Sequence, residues 1–116
     1  MLSRTEHLAL KSVVENIVLA QSFIQGMTLT EFQVDRRTVY AVTRCLEIIS
    51  EASRRFSPEL KNRHNEIDWI KIAASGNIYR HGYQAVRDEI LWNTLEYALE
   101  PLKAVVEEEL RRFETG

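Results

Sequence analysis

The chain has one cysteine, two prolines and four glycines among its 116 residues. Each scarcity excludes something. A lone Cys45 cannot close an internal disulfide, and its place in the apolar series Val42, Cys45, Leu46, Ile49 makes it a core residue suited to a reducing compartment. With few helix breakers, and with Leu, Ala, Glu, Arg and Ile abundant, the composition favours helices. No apolar run approaches the roughly 20 residues of a membrane span. The segment Met1 to His7 lacks the basic-then-apolar order of an export signal, so a cytoplasmic location is expected. No stretch alternates polar and apolar residues with period two, so no sheet is expected. One cysteine and no His/acid pair at ligand spacing give no zinc site, and no glycine-rich phosphate loop is present. Neither a metal nor a cofactor is expected.

What is there fits an ordinary folded domain. The apolar fraction is 45% and the charged fraction 28%, and the length suits a single domain over residues 1–116. The net charge of −2 argues against a chain that coats nucleic acid nonspecifically, but the charge is unevenly spread. Residues 36–63 carry a surplus of four positive charges and residues 96–114 a surplus of three negative ones. Such asymmetry steers a polyanion to one face, or else reflects solvated helix surfaces.

The periodicity predicts an all-α, up-and-down bundle of four main helices with one or two short extra ones. The first runs from about Thr5 to Gln25 on a stripe of Leu10, Val13, Val14, Ile17, Val18, Gln21 and Ile24, with Gly26 as its stop. Thr30 with Gln33 fits a capping box on a single turn. Asp35 is the expected N-cap of a second helix over 36–56, whose buried stripe is Val39, Val42, Leu46, Ile49 and Phe56. Ser57-Pro58-Glu59 restarts a short helix. A third main helix is expected from about Glu66–Asp68, with the small residues Ala73, Ala74, Ser75 and Gly76 permitting close approach of a neighbouring helix and Gly82 loosening its end. The last runs from about Arg87 to Phe113, kinked or divided at Pro101. Trp69 and Trp92 are expected as core or interface anchors. His7 and His64 are scattered and expected to be exposed. Glu47 and Glu51 share a helix face, as partners for buried arginines, as a carboxylate metal pair or as solvated charges. The metal reading lacks its Glu-x-x-His element.

The run Gly76-Asn77-Ile78-Tyr79-Arg80-His81-Gly82-Tyr83 puts a histidine, the side chain best suited to proton transfer near neutral pH, two residues before a tyrosine. Val86-Arg87-Asp88-Glu89-Ile90-Leu91-Trp92 follows at once. With Leu46-Glu47-Ile48-Ile49-Ser50-Glu51-Ala52, similar to "LEIIGEA"-type segments, and Ile67-Asp68-Trp69 in place of Ile-Pro-Trp, these blocks resemble the HepT-like toxins among the HEPN ribonucleases, in the same order along nearly the whole chain.

The resemblance implies a metal-independent endoribonuclease toxin that works as a homodimer with its motifs facing one cleft. His81 would carry the proton transfer. It further implies a cognate minimal nucleotidyltransferase antitoxin that transfers AMP to Tyr83, the tyrosine of His-x-Tyr, and so silences the toxin. In one respect the chain departs from the pattern. No arginine precedes His81 with four to six residues between them, where Ser75 or Gly76 stands instead. Arg80 is adjacent to His81 and diverges from it by about 100° on a helix, so it would reach a phosphate only across a shared groove. Asn77 lies four residues before His81 on the same face and can position a phosphate without adding charge. Arg44 and Arg87 are other sources of charge, and Glu47 and Glu51 are candidates for orienting Arg80 or the His81 segment. Two further readings stand beside the nuclease. One is a weakened relative that mainly binds, or is modified by, its nucleotidyltransferase, and the other is a dimeric helical scaffold without chemistry.

Overall fold

The computed structural model describes residues 4–81 and 83–115, and the side chains of these except at 78–81, 85 and 115. All regular structure among the described residues is helical: α1 (Arg4–Phe23), α2 (Leu29–Val34), α3 (Arg36–Ser53), α4 (Pro58–Arg63), α5 (Trp69–His81), α6 (Gln84–Asn93), a π-helical turn (Thr94–Ala98) and α7 (Leu99–Thr115). The four long rods are α1, α3, α5 and the continuous α6–π–α7 unit, with α2 and α4 as short connectors, as the periodicity predicts.

The rods alternate in direction. Residues at the start of α1 (Thr5, Leu8, Ala9) line a groove with residues at the end of α3 (Glu51, Ala52, Arg55). The end of α1 meets the start of α7, where Gln21 Nε2 donates to Glu100 Oε1 at 3.1 Å. The core is one cluster, with Leu10, Val13 and Ile17 from α1, Val42, Leu46 and Ile49 from α3, and Leu91, Leu99, Leu102 and Val106 from the last rod. Cys45 is buried within it, and burial pushes its thiol up, away from the reactive thiolate. Val18, placed on the apolar stripe by its spacing, is about half exposed. Trp69 and Trp92 pack against this core, Trp69 edge-on to Phe56 and Trp92 tilted on Phe32.

Local chemistry explains most of the breaks. Gly26 adopts φ +80°, the left-handed region that spares glycine a steric penalty, and closes the turn after α1. The capping box before α2 is Thr28 with Glu31 rather than Thr30 with Gln33, because the helix starts at Leu29. Asp35 caps α3 by accepting from the Thr38 N–H at 3.2 Å, and the Thr38 hydroxyl and amide hold its carboxyl below the usual carboxylate range. Ser57 caps α4 with Pro58 next to it. The last rod departs from α geometry at Thr94–Ala98 rather than at Pro101. That wide turn includes Tyr97, whose carbonyl would otherwise meet the Pro101 ring, and it closes with the Leu99 N–H donating to the Thr94 carbonyl. The rod thus continues past proline.

Small residues let α5 lie close on α3. The Ser50 hydroxyl donates to the Ala73 carbonyl at 2.9 Å, and Arg54 donates to the same carbonyl at 2.8 Å. Gly76 is buried there, and a Cβ added to it would meet Ser50 Oγ at 3.2 Å.

Candidate active site

The site grows from the outer face of α3. Turning Val42, Leu46 and Ile49 into the core directs Arg44, Glu47, Glu51, Arg54 and Arg55 away from it, toward α1 and α5. There they line an open groove of about 530 Å³, whose other walls include Ser12 of α1 and Asn77 of α5. Asn77 is exposed. Arg44 has no ion pair among the described residues, so its charge is available to the groove. Glu51 is spent differently. Its side chain is 61% exposed and pairs with Arg54 and Arg55 at 3.6 and 3.7 Å, a solvated surface cluster of little energetic weight. Glu47 is half-buried and lines both this groove and a second cavity farther along α3. No group of carboxylates, histidines or cysteines among the described residues is arranged to hold a metal ion.

His81 is the last residue of α5. Its side chain and that of Arg80 lie outside the described residues, as does Gly82, so the contacts expected of them do too. Tyr83 stands at the corner between α5 and α6. It precedes α6 as N-cap without a side-chain capping bond and is 88% exposed, while its carbonyl accepts from the Arg87 N–H at 2.8 Å. The phenol at this corner is therefore accessible.

The second cavity, about 160 Å³, lies between α3 and α6 and is lined by Arg36, Tyr40, Thr43, Glu47, Arg87 and Asp88 among others. Asp88 is 2% exposed. Arg36 Nη1 donates to its Oδ2 at 2.7 Å and also to the Gln33 carbonyl at 3.0 Å, tying α6 to the α2–α3 corner.

At the other end of the bundle the fold holds a cluster that its spacing did not suggest. His64, expected on the surface, is buried, and its Nε2 lies 2.6 Å from Glu109 Oε2. Arg63 donates to both oxygens of Glu109 at 2.6 and 3.2 Å. Burial alone would push the Glu109 carboxyl up, but the bonds from Arg63 and His64 outweigh it and leave the group below its ordinary value. The same pairing raises Arg63. Nearby, Glu6 of α1 accepts from the Ser57 N–H, and His7 stacks on Phe113 with centroids 3.9 Å apart, half-buried rather than exposed. The sequence did carry a signal: Glu6, Asp88 and Glu109 each fall on an apolar stripe (Glu109 with Leu102, Val105 and Val106), where a charge needs a partner.

The bundle is all-α and antiparallel, and a groove lined by three arginines and two glutamates runs beside α5, the helix that ends at His81. Residues 13–109 match the family described as Ribonuclease HepT-like. The chain is 34% identical over 98 residues to a probable ribonuclease HepT of Thermococcus cleftensis, an alignment that covers 84% of this chain and 89% of the relative. It is 31% identical over 84 residues to a candidate RNase of Methanocaldococcus jannaschii, covering 72% and 69% of the two chains. A candidate RNase of Caldanaerobacter subterraneus is 29% identical over 89 residues, with 77% and 80% covered. No solved structure gives a significant match. The chain belongs to the HepT-like ribonuclease family.

Gly76 packs on Ser50, and a side chain at 76 would compete with the Ser50 hydroxyl for the same space.

Proposed function

We propose that the chain is a metal-independent endoribonuclease of the toxin kind, cutting RNA through His81. The observation that carries this reading is the family match over residues 13–109, which includes the whole segment from Gly76 to Tyr83. In the reaction, the 2′-hydroxyl oxygen attacks the adjacent phosphorus and gives up its proton to a base. The 5′-oxygen leaves with a proton from an acid, and a 2′,3′-cyclic phosphate remains. His81 serves in this proton transfer because imidazole accepts and donates protons near neutrality. Phosphate charge falls to Arg80, with Asn77 as a neutral donor and Arg44 in the groove. Glu47, beside both cavities, orients the basic side chains, and Glu51 tempers them from the rim. The working unit is a homodimer in the cytoplasm, in which Arg80 of one copy serves the shared cleft.

Tyr83 is the control point. A cognate minimal nucleotidyltransferase directs the phenol oxygen onto the α-phosphorus of ATP, pyrophosphate leaves, and the phenol proton passes to a base of the partner. The added phosphate sets a negative charge beside His81 and repels RNA. The 88% exposure of Tyr83 supports this assignment. The Gly76–Ser50 contact favours a second reading, a weakened nuclease whose main role is to bind or be modified by that partner.

The deciding experiment incubates the purified chain with total RNA, with and without the partner and ATP. Cleavage that stops as Tyr83 gains one AMP supports the first reading. Intact RNA together with AMP on Tyr83 supports the second. Intact RNA and no adduct ends both. Tyr83→Phe should stay folded and escape modification, and an adduct on Tyr79 would move the control point.

A further inference from the structure

The outer face of α5 is bare. Ile70 is 84% exposed, and Ala74 and Asn77 are exposed as well. The spacing i, i+4, i+7 puts these three on one stripe, which reaches position 81 at i+11. Another open groove, of about 490 Å³, runs along this stripe, and Arg54, Lys61 and Trp69 also line it. Its charge has one sign. No carboxylate is among the described lining residues, and among the described helices only α5 has neither aspartate nor glutamate. Lys61 has no ion pair among the described residues. Arg54 is fixed in place, donating to the Ala73 carbonyl at 2.8 Å. Its pair with Glu51, at 3.6 Å and in solvent, is weak enough for a phosphate to replace. Trp69 is half-buried and donates from Nε1 to the His64 carbonyl at 3.0 Å, so it makes a rigid wall.

We infer that this groove is an exosite for single-stranded RNA, gripping the strand away from the bond that is cut. Phosphates meet the two cations, while bases and riboses meet the apolar surface of Ile70 and Trp69. A second copy of the chain fits less well, because a two-fold contact through this face brings two sets of the same cations together. The exosite is continuous with the candidate active-site groove, since Arg54 and Asn77 line both. From Ile70 to position 81 is about 16 Å along the helix axis. A dinucleotide at His81 therefore leaves the exosite empty, whereas a longer strand fills it. This rests on the RNA reading and adds to it a dependence on strand length.

The test compares cleavage of a dinucleotide with that of a strand of about 12 nucleotides, a length within the usual span of such grooves. Binding of an uncleavable 2′-O-methyl strand of the same length is followed by fluorescence anisotropy. The parent should show a KM roughly tenfold lower for the longer strand. Lys61→Ala should weaken long-strand binding about fivefold and flatten the slope of log affinity on log salt by about 0.7, the share of one phosphate contact. Ile70→Asp sets a carboxylate on the track and should weaken binding about tenfold. Both should leave dinucleotide cleavage at the parent level. Thermal unfolding and sedimentation accompany each variant. Ile70→Asp splitting a parent dimer into monomers would assign this face to a second copy and overturn the exosite. Unchanged long-strand binding and salt slope in both folded variants of a parent that binds RNA would overturn the exosite alone. A parent that neither binds the long strand nor cleaves RNA would overturn both the exosite and the RNA reading.

Discussion

Two buried acids at opposite ends of the bundle each hold an arginine, and they differ in one respect. Glu109 has both oxygens engaged, by Arg63 and by His64, and joins α7 to α4. Asp88 has one oxygen engaged by Arg36 and the other buried without a hydrogen-bond partner among the described residues. The first arrangement closes the fold. The second leaves a buried acceptor without a donor among the described residues. A fully paired network rigidifies the fold, whereas a buried acceptor without a donor is a cost that the fold carries.

The sharpest way to break this contrast is at His81. His81→Ala should reduce RNA cleavage by about 10²- to 10⁴-fold, the usual worth of a positioned proton-transfer group, without moving the urea midpoint. Parent-level cleavage by the variant would take His81 out of the chemistry. At the closed end the effects should be reversed. Glu109→Ala strands Arg63 and His64 and should cost about 3–5 kcal/mol of stability in urea unfolding, while the folded fraction keeps its affinity for RNA. A loss below about 1 kcal/mol would mean that the cluster is not a lock.

A smaller effect probes the departure at residue 76. Gly76→Arg alone should destabilise by about 1–3 kcal/mol, because Ser50 Oγ sits 3.2 Å from where its Cβ would go. Adding Ser50→Gly should relieve that loss and raise turnover about tenfold or more by supplying a guanidinium ahead of His81. A double variant no faster than the parent would show that the charge already comes from elsewhere. The smallest effect is in pH. The Glu109 carboxyl lies lower in the folded chain than its ordinary value of 4.5. Its contribution is therefore fully present above that value and is lost as pH falls through the lower, folded one. Acid unfolding should be less steep in Glu109→Gln than in the parent, and identical acid limbs would assign that loss to other groups.

Much of the fold was legible. Asp35, Ser57-Pro58 and Gly26 act locally, through caps and backbone freedom within a few residues, so the sequence alone identified them. The buried stripe of α3 followed from period 3.6 for the same reason. The candidate site was legible only as an ordered string of residues from Gly76 to Trp92. His64 was misread because a histidine between polar neighbours gives no local sign of a glutamate 45 positions away. Arg36 and Asp88 were invisible as a pair because one belongs to α3 and the other to α6.

The chain by itself determined that it is helical, where the helices start and stop, which faces they bury and which family it joins. These properties follow from nearest-neighbour sterics, capping and periodicity, which act over a turn or two. Only the tertiary structure decided which charges would be neutralised and which left to work. That choice depends on distances between residues tens of positions apart, and packing alone sets them: Arg63 against Glu109, Arg36 against Asp88, and Gly76 against Ser50.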